Sequence, residues 1–206
     1  MTSLYLFIIA STVLIITPGP DVIYVLSRGV SGGRIAGVFS AIGVTSGIFV
    51  HTIAASMGLA VLLQTSTYAF WTMKIIGGIY LIYLGIQMIR NRKDLILKKQ
   101  EGKICVKECL VQGFVSNVFN PKVALFFVAF LPQFIRPGVQ NQSLYMILLG
   151  LLFALMTLIF LVFLGVFAGT ISKWLYDRKK IGERIGSASG IILMLLGIRL
   201  LLPENK

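Results

Sequence analysis

Two apolar stretches of this 206-residue chain are interrupted by proline, at Thr17-Pro18-Gly19-Pro20-Asp21 and at Asn120-Pro121-Lys122, and each interruption carries one charge. Proline removes an amide donor and glycine loosens the backbone, which frees carbonyls where hydrocarbon offers no partner. Such breaks persist only where they face protein or water, and interrupted helices near a bilayer midplane are where secondary transporters hold substrates and ions. A charge at that depth costs about 3 kcal/mol or more. Asp21 and Lys122 therefore need a cause, and Pro18, Gly19, Pro20 and Pro121 form the helix-breaking frame around them.

Composition sets the class: 57% of residues are hydrophobic, 13% are charged and the mean hydropathy is +0.91. A spanning helix takes about 20 apolar residues. Six segments qualify, near 4–26, 36–63, 70–89, 110–131, 144–168 and 187–202, which predicts an all-α membrane protein of six transmembrane helices with the first and fourth broken. The first segment has no basic n-region and no small-residue cleavage site, so it reads as a retained helix rather than a signal peptide.

The net charge of +12 follows membrane topology. If the first helix starts on one side, the three connections on the other hold Arg28 and Arg34, then Arg90 to Lys107 with seven basic residues, then Lys173 to Arg184 with five. The positive-inside rule makes that side cytoplasmic and both termini external. The basic runs lack interleaved aromatics, which argues against nucleic acid and leaves anionic lipid as their partner. Cys105 and Cys109 lie in the cytoplasmic connection, without a neighbouring histidine to complete a metal site.

An internal repeat organises the segments. Gly78 to Ile89 matches Gly190 to Leu201 at six of twelve positions, and Pro20-Asp21-Val22 falls opposite Pro121-Lys122-Val123. Repeat one covers about residues 1–90, a cytoplasmic linker about 91–108, and repeat two about 109–206. Three spans per half is an odd number, so the second half enters from the opposite face and the repeats are inverted.

Asp21 facing a cavity could exchange protons or bind an amino group, or it could cap a short helix that starts after Pro20. Lys122 lies too deep to snorkel easily. It could bind a substrate carboxylate, or pair with Asp21 and neutralise both charges. Asn117 and Asn120, three apart on one helical face, could reach the same opening or act as hydrogen-bonding glue. Thr17, His51 and Tyr80 are lesser candidates. Gly43 and Gly47 form a small-xxx-small pair for close packing within the bundle or in a homodimer. No nucleotide loop, serine elbow or zinc-type histidine pair is present, so the chain is read as a transporter rather than an enzyme, driven by an ion gradient.

These motifs resemble the LysE/RhtB group of amino-acid exporters. The resemblance rests on Thr17 to Asp21, Ser27-Arg28, Gly32 to Gly37, Gly43, Gly47, Gly58-Leu59, Gly77 to Gly85, Gln112-Gly113-Phe114, Asn120 to Lys122 and Leu131-Pro132-Gln133-Phe134. It implies an inner-membrane exporter of amino acids or their derivatives, driven by proton antiport and without a cofactor. Two alternatives of similar architecture are a thiol-redox relay, weakened by the lack of cysteine at either break, and a passive channel or metal-ion exporter, weakened by the single histidine and the lack of a carboxylate cluster.

Overall fold

Apolar side chains and proline placement dictate a bundle of helices with interruptions at defined points. The computed structural model describes residues 2–59, 67–90, 105–134, 141–177 and 179–202, and every regular element among them is helical. Helix α1 (Thr2–Ile16) stops because Pro18 disfavours a helical Thr17. Gly19 is extended at φ −156°, and α2 (Pro20–Ala54) begins with Pro20 in its first turn, where a missing amide costs nothing.

Gly33 divides α2 into two arms. Its φ of 75° and ψ of −172° belong to a region that only glycine enters readily, and a Cβ there would meet no atom within 4 Å. Backbone freedom, not space, explains this glycine. A π-helical turn (Ala55–Leu59) extends the second arm.

The remaining elements are α3 (Thr67–Arg90), α4 (Val106–Val118), α5 (Pro121–Leu125), which continues through a π-helical turn (Phe126–Phe130) and a 3-10 turn (Leu131–Phe134), then α6 (Gln142–Val166), α7 (Ala168–Asp177) and α8 (Lys179–Leu201). Helix α4 and the segment beginning at Pro121 bend by 46° across Phe119-Asn120. Asn120 caps the new helix by accepting a hydrogen bond from the Lys122 amide at 3.0 Å.

Glycines set the closest helix approaches. A Cβ on Gly47 would lie 2.7 Å from Asn117 Oδ1, and one on Gly113 2.8 Å from the Ser40 carbonyl, so α2 and α4 are in near backbone contact. Gly43 meets Leu110 of the same helix pair. Both members of the Gly43/Gly47 motif are thus buried inside the protomer and offer no dimer face. Helix α3 packs antiparallel to α8: a Cβ on Gly197 would lie 2.6 Å from the Gly78 carbonyl, and one on Gly190 2.6 Å from the Gly85 carbonyl. The core gathers Phe7, Phe126, Phe127, Phe130, Phe134 and Phe153 with aliphatic side chains of α1, α2 and α6.

Several expectations shift. Asn117 and Asn120 do not share one helix face, because α4 ends at Val118 and Asn120 is extended beyond it. The basic stretch from Lys173 onward, expected as a connection, is helical: α7 fills Ala168–Asp177 and α8 begins at Lys179 rather than near 187. Ten-residue α7 is amphipathic, and lysine and arginine are good helix formers, so charge there did not mean loop. The linker stretch 91–104 lies outside the described residues. Among those residues, Pro20–Met57 and Gln142–Val166 are long and apolar enough to cross a membrane, and the bent pair Val106–Val118 with Pro121–Phe134 makes a third.

Candidate functional site

The two breaks meet. Asp21 stands in the first turn of α2 and Lys122 in the first turn of α5, each just after a proline, and both are buried at 5% and 6% exposure. A helix C-terminus presents unpaired carbonyls and a partial negative charge. Lys122 answers that at α1: its Nζ donates to the carbonyls of Leu14 at 3.1 Å and Thr17 at 3.0 Å. Thr17 itself is buried, and its hydroxyl donates to the Val13 carbonyl at 2.6 Å.

Asp21 reaches the C-terminal end of the other broken helix, α4, where a carboxylate has the wrong sign for carbonyls. A side-chain amide solves the mismatch: Asn117 Nδ2 donates to Asp21 Oδ2 at 2.9 Å. The Asn117 carbonyl contacts His51 Nε2 at 3.0 Å, and the imidazole packs 5.9 Å from the Phe127 ring. Each charge therefore bridges to the opposite break, Lys122 through backbone and Asp21 through Asn117.

The two charges do not form a direct ion pair among the described residues; they line a shared cavity with Leu14, Ile15, Ile48, Asn117, Phe153, Thr157 and Leu161. Its volume of about 20 Å³ holds about one water, which is too small for an amino acid in this conformation. Asp21 Oδ1, Asn117 Oδ1 and Asn120 Nδ2 are buried without hydrogen-bond partners. Such groups are costly unless something periodically pairs them.

Two further sets of contacts join the elements that line the cavity. Along the α2 arm leading to Gly33, Tyr24 donates to the Cys109 carbonyl at 3.0 Å, Arg28 hydrogen-bonds Gln112, and its guanidinium lies 5.6 Å from the Tyr24 ring centroid. On the other side, Phe7 of α1 packs 5.2 Å from Phe134 and 6.2 Å from Phe126. One set is polar and the other aromatic.

The structure brings the sequence candidates Asp21, Lys122, Asn117, Asn120, Thr17 and His51 into one region. Tyr80 lies apart, against Tyr83 on α3 at 6.0 Å between rings. Thr157 and Tyr24 were missed. Thr157 is the only polar side chain inside the apolar run of α6 beyond its first turn, and Tyr24 and Arg28 fall on the helix face of Asp21 at three- and seven-residue spacing, so both left a signal. Among the described residues no group of three or more histidine, cysteine, aspartate or glutamate side chains is disposed to hold a metal. Cys105 is exposed, Cys109 is buried, and both are free thiols.

The profile of the LysE type translocator family matches residues 12–204. An uncharacterised membrane protein of Bacillus subtilis, YrhP, is 31% identical over 97% of this chain and 98% of its own length. A leucine efflux protein of Enterobacter sp. (strain 638) is 28% identical over 94% of this chain and 92% of its own. One from Klebsiella pneumoniae is 26% identical, with the same coverage. No solved structure matches the chain.

Proposed function

This chain belongs to the LysE type translocator family, membrane transporters rather than enzymes, and from that premise we propose that it exports amino acids or their derivatives by proton antiport. The observation that carries the reading is the pair of opposite charges that line one cavity without a direct ion pair between them. An amino acid carries an ammonium and a carboxylate. Asp21 Oδ1 and Asn117 Oδ1 are free acceptors for the first. Lys122 has three N–H donors and uses two on carbonyls, which leaves one for the second. Asn120 Nδ2 is a further unpaired donor beside them.

Asp21 is the acid that carries the counter-transported proton, and substrate and proton compete for it, which is the coupling an antiporter needs. Six spans in two inverted halves give the frame, both termini lying outside the inner membrane. The reciprocal approach of Gly78 to Gly197 and of Gly85 to Gly190 supports this reading, because the repeat match of Gly78 with Gly190 and of Gly85 with Gly197 exchanges one contact for the other, as a local two-fold axis would. So does the crossed bridging of the two breaks. Alternating access follows from opening the Tyr24/Arg28 seal toward the cytoplasm and the Phe7/Phe134 seal outward, one at a time.

Everted membrane vesicles given an acidic interior test this. They are expected to accumulate a labelled amino acid above its external concentration and to release it when a protonophore collapses the gradient. No accumulation of any amino acid would sink the exporter reading; accumulation that ignores the protonophore would remove the proton.

A further inference from the structure

We infer that Phe153, Thr157 and Leu161 of α6, with Ile48 of α2, form the subsite for the substrate's side chain and select neutral aliphatic amino acids over charged ones. The inference rests on the amino-acid export reading.

Phe153, Thr157 and Leu161 are spaced by four residues, so they stand one above another on a single face of α6. All three are buried and line the cavity, as does Ile48, which is fully buried. The polar end of the cavity is supplied by α2, α4 and α5 through Asp21, Asn117 and Lys122. A ligand whose ammonium and carboxylate engage that end directs its side chain toward the remaining wall.

That wall provides nothing for a charge. Thr157 is its only polar member, and its hydroxyl proton is already committed to the Phe153 carbonyl at 2.8 Å. A lysine, arginine or glutamate side chain would bring a second charge to a cavity whose ionisable lining is Asp21 and Lys122, groups engaged by the ligand backbone. An aliphatic side chain asks only for apolar surface. Phe153 sets the depth, and it is held firmly: Phe126 stacks on it at 5.0 Å and Phe127 meets it edge-on at 5.4 Å. A wall fixed in this way discriminates by shape, and pockets of this kind separate substrates that differ by one methylene by about 10- to 200-fold.

The test is counterflow in proteoliposomes of the full chain, preloaded in turn with leucine, valine, phenylalanine, lysine and glutamate. Wild type should exchange leucine and valine at least about 100-fold more efficiently than lysine or glutamate. Phe153→Ala should deepen the subsite and raise the phenylalanine-to-leucine ratio about tenfold. Leu161→Ala should move the ratio in the same direction and serves if Phe153→Ala does not fold. Lysine or glutamate exchanged as well as leucine overturns the proposal, as does an active Phe153→Ala or Leu161→Ala variant with an unchanged ratio. Exchange of no amino acid at all strikes instead at the export reading on which it rests.

Discussion

Lys122 and Asp21 occupy matched places after matched prolines, yet their substitutions should behave differently. Lys122→Ala removes the donor from the Leu14 and Thr17 carbonyls, two acceptors buried at a helix end. Each orphaned group costs about 1–3 kcal/mol, so the variant should unfold measurably earlier in a detergent thermal melt as well as lose transport. Asp21→Asn keeps an oxygen for the Asn117 amide, so it should lose less stability than Lys122→Ala. An unaltered melt for Lys122→Ala would show that its carbonyl contacts contribute nothing. Both residues stand out in the sequence because a charge in an apolar run is conspicuous. Their partners do not: carbonyls carry no sequence signature, and Asn117 as the donor that lets a carboxylate approach a helix C-terminus emerges only when α2 and α4 are seen side by side.

At the scale of elements, the proline breaks were readable because proline acts locally, whereas α7 was not, since its few charges resemble those of a connection and its amphipathic face becomes evident only when helical. The connection expected between the first two apolar segments, near 27–35, falls at Gly33, which divides α2 into two arms. Gly33→Ala should cost about 1–3 kcal/mol from strain alone, because there is space for the methyl group. The polar seal makes a sharper prediction. Cys109 is fully buried and its carbonyl accepts the Tyr24 hydroxyl. In a Cys105→Ser background, combining Tyr24→Phe with Arg28→Ala removes two hydrogen bonds that join α2 to α4. Labelling of Cys109 by a membrane-permeant maleimide should then rise about tenfold. Unchanged labelling would mean that these contacts do not hold the cavity shut.

For the whole molecule, the described residues join two broken helices at their breaks, pack two glycine-bearing helices antiparallel, and leave a water-sized cavity lined from both breaks. Family membership and the apolar segments were legible in the sequence, since hydropathy and glycine-proline motifs are properties of residue order. The small size of the cavity was not, because it depends on how side chains from α1, α2, α4, α5 and α6 meet. The central claim is that Asp21 couples proton movement to an amino acid held in that cavity. Its most direct test is accumulation of labelled leucine in everted vesicles with an imposed pH gradient, comparing wild type with Asp21→Asn at equal protein. Wild type should concentrate leucine above the external level, while Asp21→Asn, still folded, should fail to do so. Equal gradient-driven accumulation by both would contradict the account.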